Sequence, residues 1–257
     1  AMTDAAPTHA VWKFASCDGC QLSVLDCEDE LLTLADRFRI ARFPEATSAA
    51  VDGPYDISRV EGSISTPDDL RRIAEIRAQS RLLVTIGACA TAGGIQALRD
   101  RADLAAWTSA VYPHPEYLDL LARSTPIADH VPVDLEVPGC PVDRSQLLAV
   151  LAALLDRHVP HLPTTCVCVE CKATGANCVL VAHGAPCLGP VTRGGCGALC
   201  PKVHRGCYGC FGPMESPNLG ALRRRLRQID VDDVVVDRLL HTYNTSSFGG
   251  LDDGDHP

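Results

Sequence analysis

A chain of 257 residues has room for one large domain or two small ones and can bury an ordinary core. Apolar residues make up 46% and charged residues 21%, which excludes a disordered chain, while a net charge of −9 argues against a nucleic-acid-binding surface. Aromatics are only 5%, so the core must be aliphatic, and the unusual count is 14 cysteines.

In chain order, Val11–Ala15 reads as a short strand. Residues 21–35 read as one helix, with Leu22, Leu25, Leu31, Leu32 and Ala35 at near-helical spacing. Arg39–Phe43 and Ile57–Val60 are short strands. Thr66-Pro67-Asp68-Asp69 is a helix start: an N-cap hydroxyl, proline at the first position, then acids in the first turn. Leu70, Ile73, Ala74 and Ile76 form its buried stripe. Leu82–Ile86 is a buried strand ending at Gly87, followed by a helix from Ala90 to Arg99. Val131–Val137 is a strand weakened by Pro132, and Leu147–Leu155 is an apolar helix. Strands alternating with helices imply an α/β domain with a mostly parallel sheet covered on both faces.

Cysteine usage shifts abruptly along the chain. Cys17, Cys20, Cys27, Cys89 and Cys140 are scattered over the first part, whereas nine more fall between Cys166 and Cys210. The chain opens without a secretory or twin-arginine leader, and Ala1 reads as an addition before an initiator Met2, so a cytoplasmic address is expected. The uncharged run from Ala173 to Thr192 is broken by glycines and prolines and is no membrane span. In a reducing compartment, clustered cysteines point to metal or redox chemistry rather than disulfides.

Cys17 and Cys20 follow the first strand, Cys89 follows Leu82–Ile86, and Cys140 follows Val131–Val137. Four thiols from three loops should therefore meet at the carboxyl edge of the sheet, where open α/β folds bind ligands. Helix N-termini point to the same edge, and Gly19, Gly87 and Gly139 would let backbone approach an anionic iron–sulfur cube. The segment from Cys166 to Cys210 has four basic residues (Lys172, Arg193, Lys202, Arg205), one acid (Glu170) and many glycines and prolines. It is expected to lack an apolar core and to be held by metal–thiolate bonds.

Taken together, Cys17-Asp18-Gly19-Cys20-Gln21, Glu61-Gly62-Ser63-Ile64, Gly87-Ala88-Cys89-Ala90, Pro138-Gly139-Cys140-Pro141, Cys187-Leu188-Gly189-Pro190-Val191-Thr192 and Cys207-Tyr208-Gly209-Cys210 resemble the small subunit of nickel–iron hydrogenases, over Val11 to Gly212. The resemblance implies a flavodoxin-like domain over 1–160 holding a proximal 4Fe–4S cluster on Cys17, Cys20, Cys89 and Cys140. It implies a small irregular Cys-rich iron–sulfur domain over 161–215. There Cys168, Cys171, Cys178 and Cys187 would bind the distal 4Fe–4S cluster, and Cys196, Cys200, Cys207 and Cys210 the medial one. One cysteine of each motif could cross to the other cluster, as in bacterial ferredoxins. Residues 216–257 would be a helix and a loose tail without chemistry.

Cys168 stands where many membrane-associated members carry a histidine, and Cys200 adds a thiol. The pattern therefore resembles the cytosolic, bidirectional branch of sulfhydrogenase delta type. That implies electron relay between a nickel–iron site on a separate large subunit and a flavin-containing, NAD(P)-reducing partner. Cys27 reads as a buried, inert thiol. Cys168 is preferred to Cys166 because its C-x-x-C spacing with Cys171 suits one site, and His183 and His204 are outranked by the available thiols. Cys17 and Cys20 alone could form a dithiol redox motif, which would leave Cys89 and Cys140 unexplained. Two rival readings are a zinc-binding interaction protein and an iron–sulfur subunit of another respiratory-type complex.

Overall fold

The computed structural model describes residues 6–249 and divides into two compact units, Ala1–His161 and Leu162–Pro257. The Ala1–Met2 start and the acidic end of the tail lie outside the described residues, as do the side chains of Leu31 and Ala35.

The first unit is an α/β layer structure. Strand β1 is Thr8–Lys13; helices α1 and α2 are Gly19–Leu25 and Glu28–Ala35; β2 is Arg39–Arg42; β3 is Tyr55–Glu61; α3 is Pro67–Gln79; β4 is Ser80–Ile86; α4 is Gly87–Ala92; α5 is Leu104–Val111; β5 is Leu135–Val137; α6 is Arg144–Leu155. The five strands are all parallel, in the order β2-β1-β3-β4-β5. That is the flavodoxin-like order expected from the sequence, with its topological switch between β1 and β3. One face of the sheet packs Phe14, Val60, Ile64, Ile73, Ile76 and Leu83 into a core with α3.

Local chemistry explains the strongest boundaries. Thr66 accepts a hydrogen bond from Asp69 N (3.2 Å), and the Asp69 carboxylate accepts one from Thr66 N (3.0 Å), a reciprocal box that encloses Pro67. Asp143 caps α6 through Gln146 N at 2.9 Å, and Leu147, Val150 and Leu151 are buried along that helix.

Three sequence expectations change. The single helix over 21–35 breaks at Asp26–Cys27, with Glu28 at φ 40°, so its apolar stripe does not form. Leu22 is 51% and Leu32 67% exposed, while Cys20, Gln21, Val24 and Cys27 face inward. The helix after Ala90 ends at Gly93–Gly94 (φ 79° and 64°) and continues only as a tight turn over Ile95–Arg101. The strand over 131–137 shrinks to Leu135–Val137. Pro132 has no N–H to pair, and Asp134 instead accepts from Leu83 N at 2.8 Å.

The second unit holds short helices α7 (Val167–Ala173), α8 (Val179–Ala182) and α9 (Leu199–Lys202), followed by α10 (Leu219–Arg227), α11 (Asp233–His241) and α12 (Thr245–Gly249). The expectation that residues 166–210 lack an apolar core is overturned. Val167, Val179, Leu180, Leu188 and Val191 pack with Leu219, Leu222, Leu226, Val236, Leu240 and Phe248 in one cluster. The missing half of the core comes from the segment expected to be a helix and loose tail. Leu219, Leu222 and Leu226 fall at i, i+3, i+7 on α10, with Arg224 on the opposite face. Each such leucine contributes about 2 kcal/mol by leaving water. No helix among the described residues is long and apolar enough to cross a membrane.

Candidate metal centres

In the first unit, Cys17 follows β1, Cys20 lies in the first turn of α1, Cys89 lies within α4, and Cys140 lies in the loop after β5. These loops leave the carboxyl ends of the strands, and the backbone ties two of them together: Ala88 N donates to Gly139 O at 2.7 Å. The four thiols are electrostatic neighbours. Burial raises the Cys20 thiol most, and charge on Glu61, Cys89 and Cys140 raises it further. Burial pushes Cys89 and Cys140 up to about 11, with charge on Cys17 adding to both. Such thiols stay protonated when alone, so a bound metal cluster must displace their protons.

Glycines make the space. A Cβ on Gly87, at φ 82°, would strike the Cys20 sulfur; one on Gly94, at φ 64°, would stand 2.6 Å from the Cys89 sulfur; one on Gly19 would stand 3.3 Å from the Cys17 sulfur. Three of the four thiols thus sit against positions where a side chain would intrude. Helices α1 and α4 also begin at this edge, where Cys20 N and Gln21 N are taken by Glu61 and Ala88 N by Gly139 O. The donor set of four thiols in a glycine-cradled recess fits an anionic cube.

Among the described residues, no group of three or more His, Cys, Asp or Glu side chains is arranged to hold a single metal ion.

Glu61, at the end of β3, is 2% exposed. Its two oxygens accept from Cys20 N and Gln21 N, both at 3.1 Å, and burial raises its carboxyl above the ordinary range. It fastens the start of α1 to the sheet. In the sequence Glu61 is one residue of a motif, with nothing to give it this task. An acid two residues after another charged strand residue, Arg59, in a buried β-run was the available signal.

In the second unit, Cys168, Cys171, Cys178 and Cys187 line one recess together with Gly189 and Pro190. A Cβ on Gly189 would stand 3.3 Å from the Cys187 sulfur and 3.5 Å from the Cys168 sulfur. Burial, then charge on Cys166 and Cys187, pushes Cys168 up to about 12; burial, then Cys178 and Cys187, raises Cys171. Cys166 caps α7, and its thiol stands against that of Cys168.

The other four cysteines form two neighbouring pairs. Burial and then charge on Cys196 raise Cys200, which also receives the Tyr208 N–H. Burial pushes Cys207 up to about 12, with the Gly209 N–H opposing and Cys187 and Cys210 adding. Tyr208 lies between Cys207 and Cys210 in the chain, so its N–H links the two pairs. Cys207 N donates to the Cys187 sulfur at 3.2 Å, which places Cys187 beside both groups. His183 and His204 are exposed. Cys27 is fully buried, and its thiol donates to Ser23 O at 3.3 Å.

Glu170 does for this unit what Glu61 does for the first. Its oxygens accept from Gly195 N (2.6 Å) and Ala198 N (3.1 Å), bracketing Cys196 and fixing the approach to α9. In the sequence it stood out only as the one acid of a basic segment.

Residues 17–154 match the family described as NADH ubiquinone oxidoreductase, 20 Kd subunit. The chain is 36% identical to sulfhydrogenase 2 subunit delta of Pyrococcus furiosus over 91% of its own length and 97% of that protein's. It is 33% identical to a chain of the F420-non-reducing hydrogenase vhu of Methanocaldococcus jannaschii, over 81% and 83% of the two proteins. Among solved structures, a chain of an NAD+-reducing [NiFe]-hydrogenase in the H2-reduced state superposes with a TM-score of 0.56 and 29% identity. That match covers 61% of this chain and 95% of the other.

Proposed function

The chain belongs to the nickel–iron hydrogenase small-subunit branch of the NADH ubiquinone oxidoreductase 20 Kd subunit family, and from that premise we propose that it holds three 4Fe–4S clusters on twelve of its thiols. It is an electron-transfer subunit; the centre that reacts with dihydrogen is on a large subunit. Cys17, Cys20, Cys89 and Cys140 hold the first cluster. Cys168, Cys171, Cys178 and Cys187 hold the distal one, and Cys196, Cys200, Cys207 and Cys210 the medial one. The observation that supports this reading is the approach of four thiols from three loops at the carboxyl edge of the sheet, beside glycines that leave room for the sulfurs.

When bound, such clusters accept and release single electrons. The residues of this chain do the rest. The thiolates fix position. Gly87 and Gly94 keep side chains out of the recess, and Glu61 and Glu170 hold the cysteine-bearing loops against their units. Burial of Cys20 and Cys207 keeps water from the sulfurs and sets a low local dielectric.

The partner chains are a large subunit on one side of the relay and flavin-containing subunits that reduce NAD(P) on the other. The NAD+-reducing activity named for the solved relative supports that acceptor, and a soluble nucleotide acceptor supports a cytoplasmic complex. Helix α5 buries none of its residues and leaves Trp107 and Val111 exposed, an apolar face suited to a partner chain.

The test is Cys140→Ala in the complete complex. Dihydrogen-driven reduction of the pyridine nucleotide should collapse while the iron of the second unit remains. A near-normal rate in an intact complex would contradict the assignment.

A further inference from the structure

Behind the first cluster site lies a charged residue with no part in the chemistry so far described. Arg59 stands mid-way along β3, paired in register with Val11 of β1 and Val84 of β4, so it is central in the sheet. It is 1% exposed, and its Nε, Nη1 and Nη2 have no hydrogen-bond partner among the described residues. The Phe43 ring lies 5.7 Å from its guanidinium carbon. Burial pushes the guanidinium down to about 10, so it is still a cation at neutral pH. A guanidinium with five donors does not ordinarily enter a core without hydrogen bonds, because desolvation opposes it.

The groups whose charge favours the Arg59 cation are all anionic or able to become so. Its charge is favoured by Glu61, Cys20 and Cys27, in that order. Glu61 lies two residues on along the same strand, and so on the same face. Its carboxylate holds the amide of Cys20. His9, the other titratable group in contact, is held neutral by burial and by Arg59 itself. The protein has therefore put one fixed cation, free of hydrogen bonds, behind a cluster ligand and an acid. A four-thiolate cube at Cys20 would add further negative charge there, more when reduced.

We propose that Arg59 is the buried counter-cation of the first cluster, and that its charge raises that cluster's reduction potential. This rests on the reading of Cys17, Cys20, Cys89 and Cys140 as cluster ligands. A cation stabilises the more negative, reduced state. Buried charges are little screened by salt, so the effect should persist at high ionic strength.

The test is a redox titration of the whole complex followed by electron paramagnetic resonance, after iron and sulfide have been counted. In Arg59→Met the reduced-to-oxidised ratio of the first cluster, at the wild-type midpoint, should fall at least tenfold, which is about 59 mV for one electron. Arg59→Lys, which keeps the charge, should stay within threefold, and the other clusters should not move. The comparison is repeated in a Glu61→Gln background, where Arg59→Met leaves no buried charge alone. There too the double variant should lie at least tenfold below Glu61→Gln. Equal potentials with and without Arg59, in either background and with iron intact, would overturn the inference. Absence of the cubes from the wild-type complex would instead overturn the cluster reading.

Discussion

Gly87→Ala tests the architecture of the first centre without touching a ligand. Gly87 opens α4 at φ 82°, a conformation that costs an ordinary residue about 1–2 kcal/mol. The added Cβ would strike the Cys20 sulfur. Ordinary contact lies near 3.5–4.0 Å, so the sulfur or the turn must retreat by about 1 Å. Metal–ligand distances tolerate only about ±0.2 Å, so that retreat removes Cys20 from the cluster. The strain alone is small beside a typical folding stability of about 5–15 kcal/mol, and the sheet should survive. Purified variant complex should therefore show native far-ultraviolet circular dichroism but lose about four irons of about twelve. Gly175→Ala is the matched control: φ is 71°, yet nothing lies within 4 Å of the new Cβ, so strain acts without collision and iron should stay whole. Full iron in Gly87→Ala, or equal losses in both variants, would refute the argument that the glycine clears space for a ligand sulfur.

Three other perturbations probe separate parts of the account. Cys166→Ala should leave iron content unchanged, and a loss of about four irons would make Cys166 a ligand in place of Cys168. Leu226→Ala, at a fully buried position of α10, should destabilise the second unit by about 2–5 kcal/mol and release its iron at lower denaturant, while the first unit melts unchanged; unchanged iron release would mean the thiolate bonds alone hold that unit. His9 is buried with its pKa lowered by burial and by Arg59. The unfolded chain therefore binds a proton near pH 6.5 that the folded chain refuses, and stability should fall as pH drops below that value, by at most about 1.4 kcal/mol per unit. Denaturant melts at pH 7 and pH 5.5 should show the fall, and His9→Phe should remove its share; an unchanged slope in the variant would show that His9 is not its source.

The parts of the molecule legible in the sequence were those written in local chemistry. Thr66, Pro67 and Asp69 specify the start of α3 among themselves, so no distant residue could overrule them. The run at 82–86 is apolar enough to be a central strand, and with the strands at 11–15, 82–86 and 131–137 read as parallel, the thiols of Cys17, Cys20, Cys89 and Cys140 emerge on one edge. What remained hidden depended on contacts remote in the chain. The leucine spacing of 21–35 suggested one continuous helix, but the chain breaks at Asp26–Cys27, with Glu28 at φ 40° and Cys27 buried. The core of the Cys-rich segment could not be seen within residues 166–210, because Leu226, Leu240 and Phe248 supply half of it. Arg59 looked like an ordinary charged residue in a strand; only its burial beside Glu61 gives it meaning.

Iron, zinc and acid-labile sulfide per chain, counted on the anaerobically purified complex, bear most directly on the central claim. Three cubes predict about twelve irons and about twelve sulfides, with broad visible absorbance. Two or three zinc atoms, no sulfide and a colourless protein would contradict it.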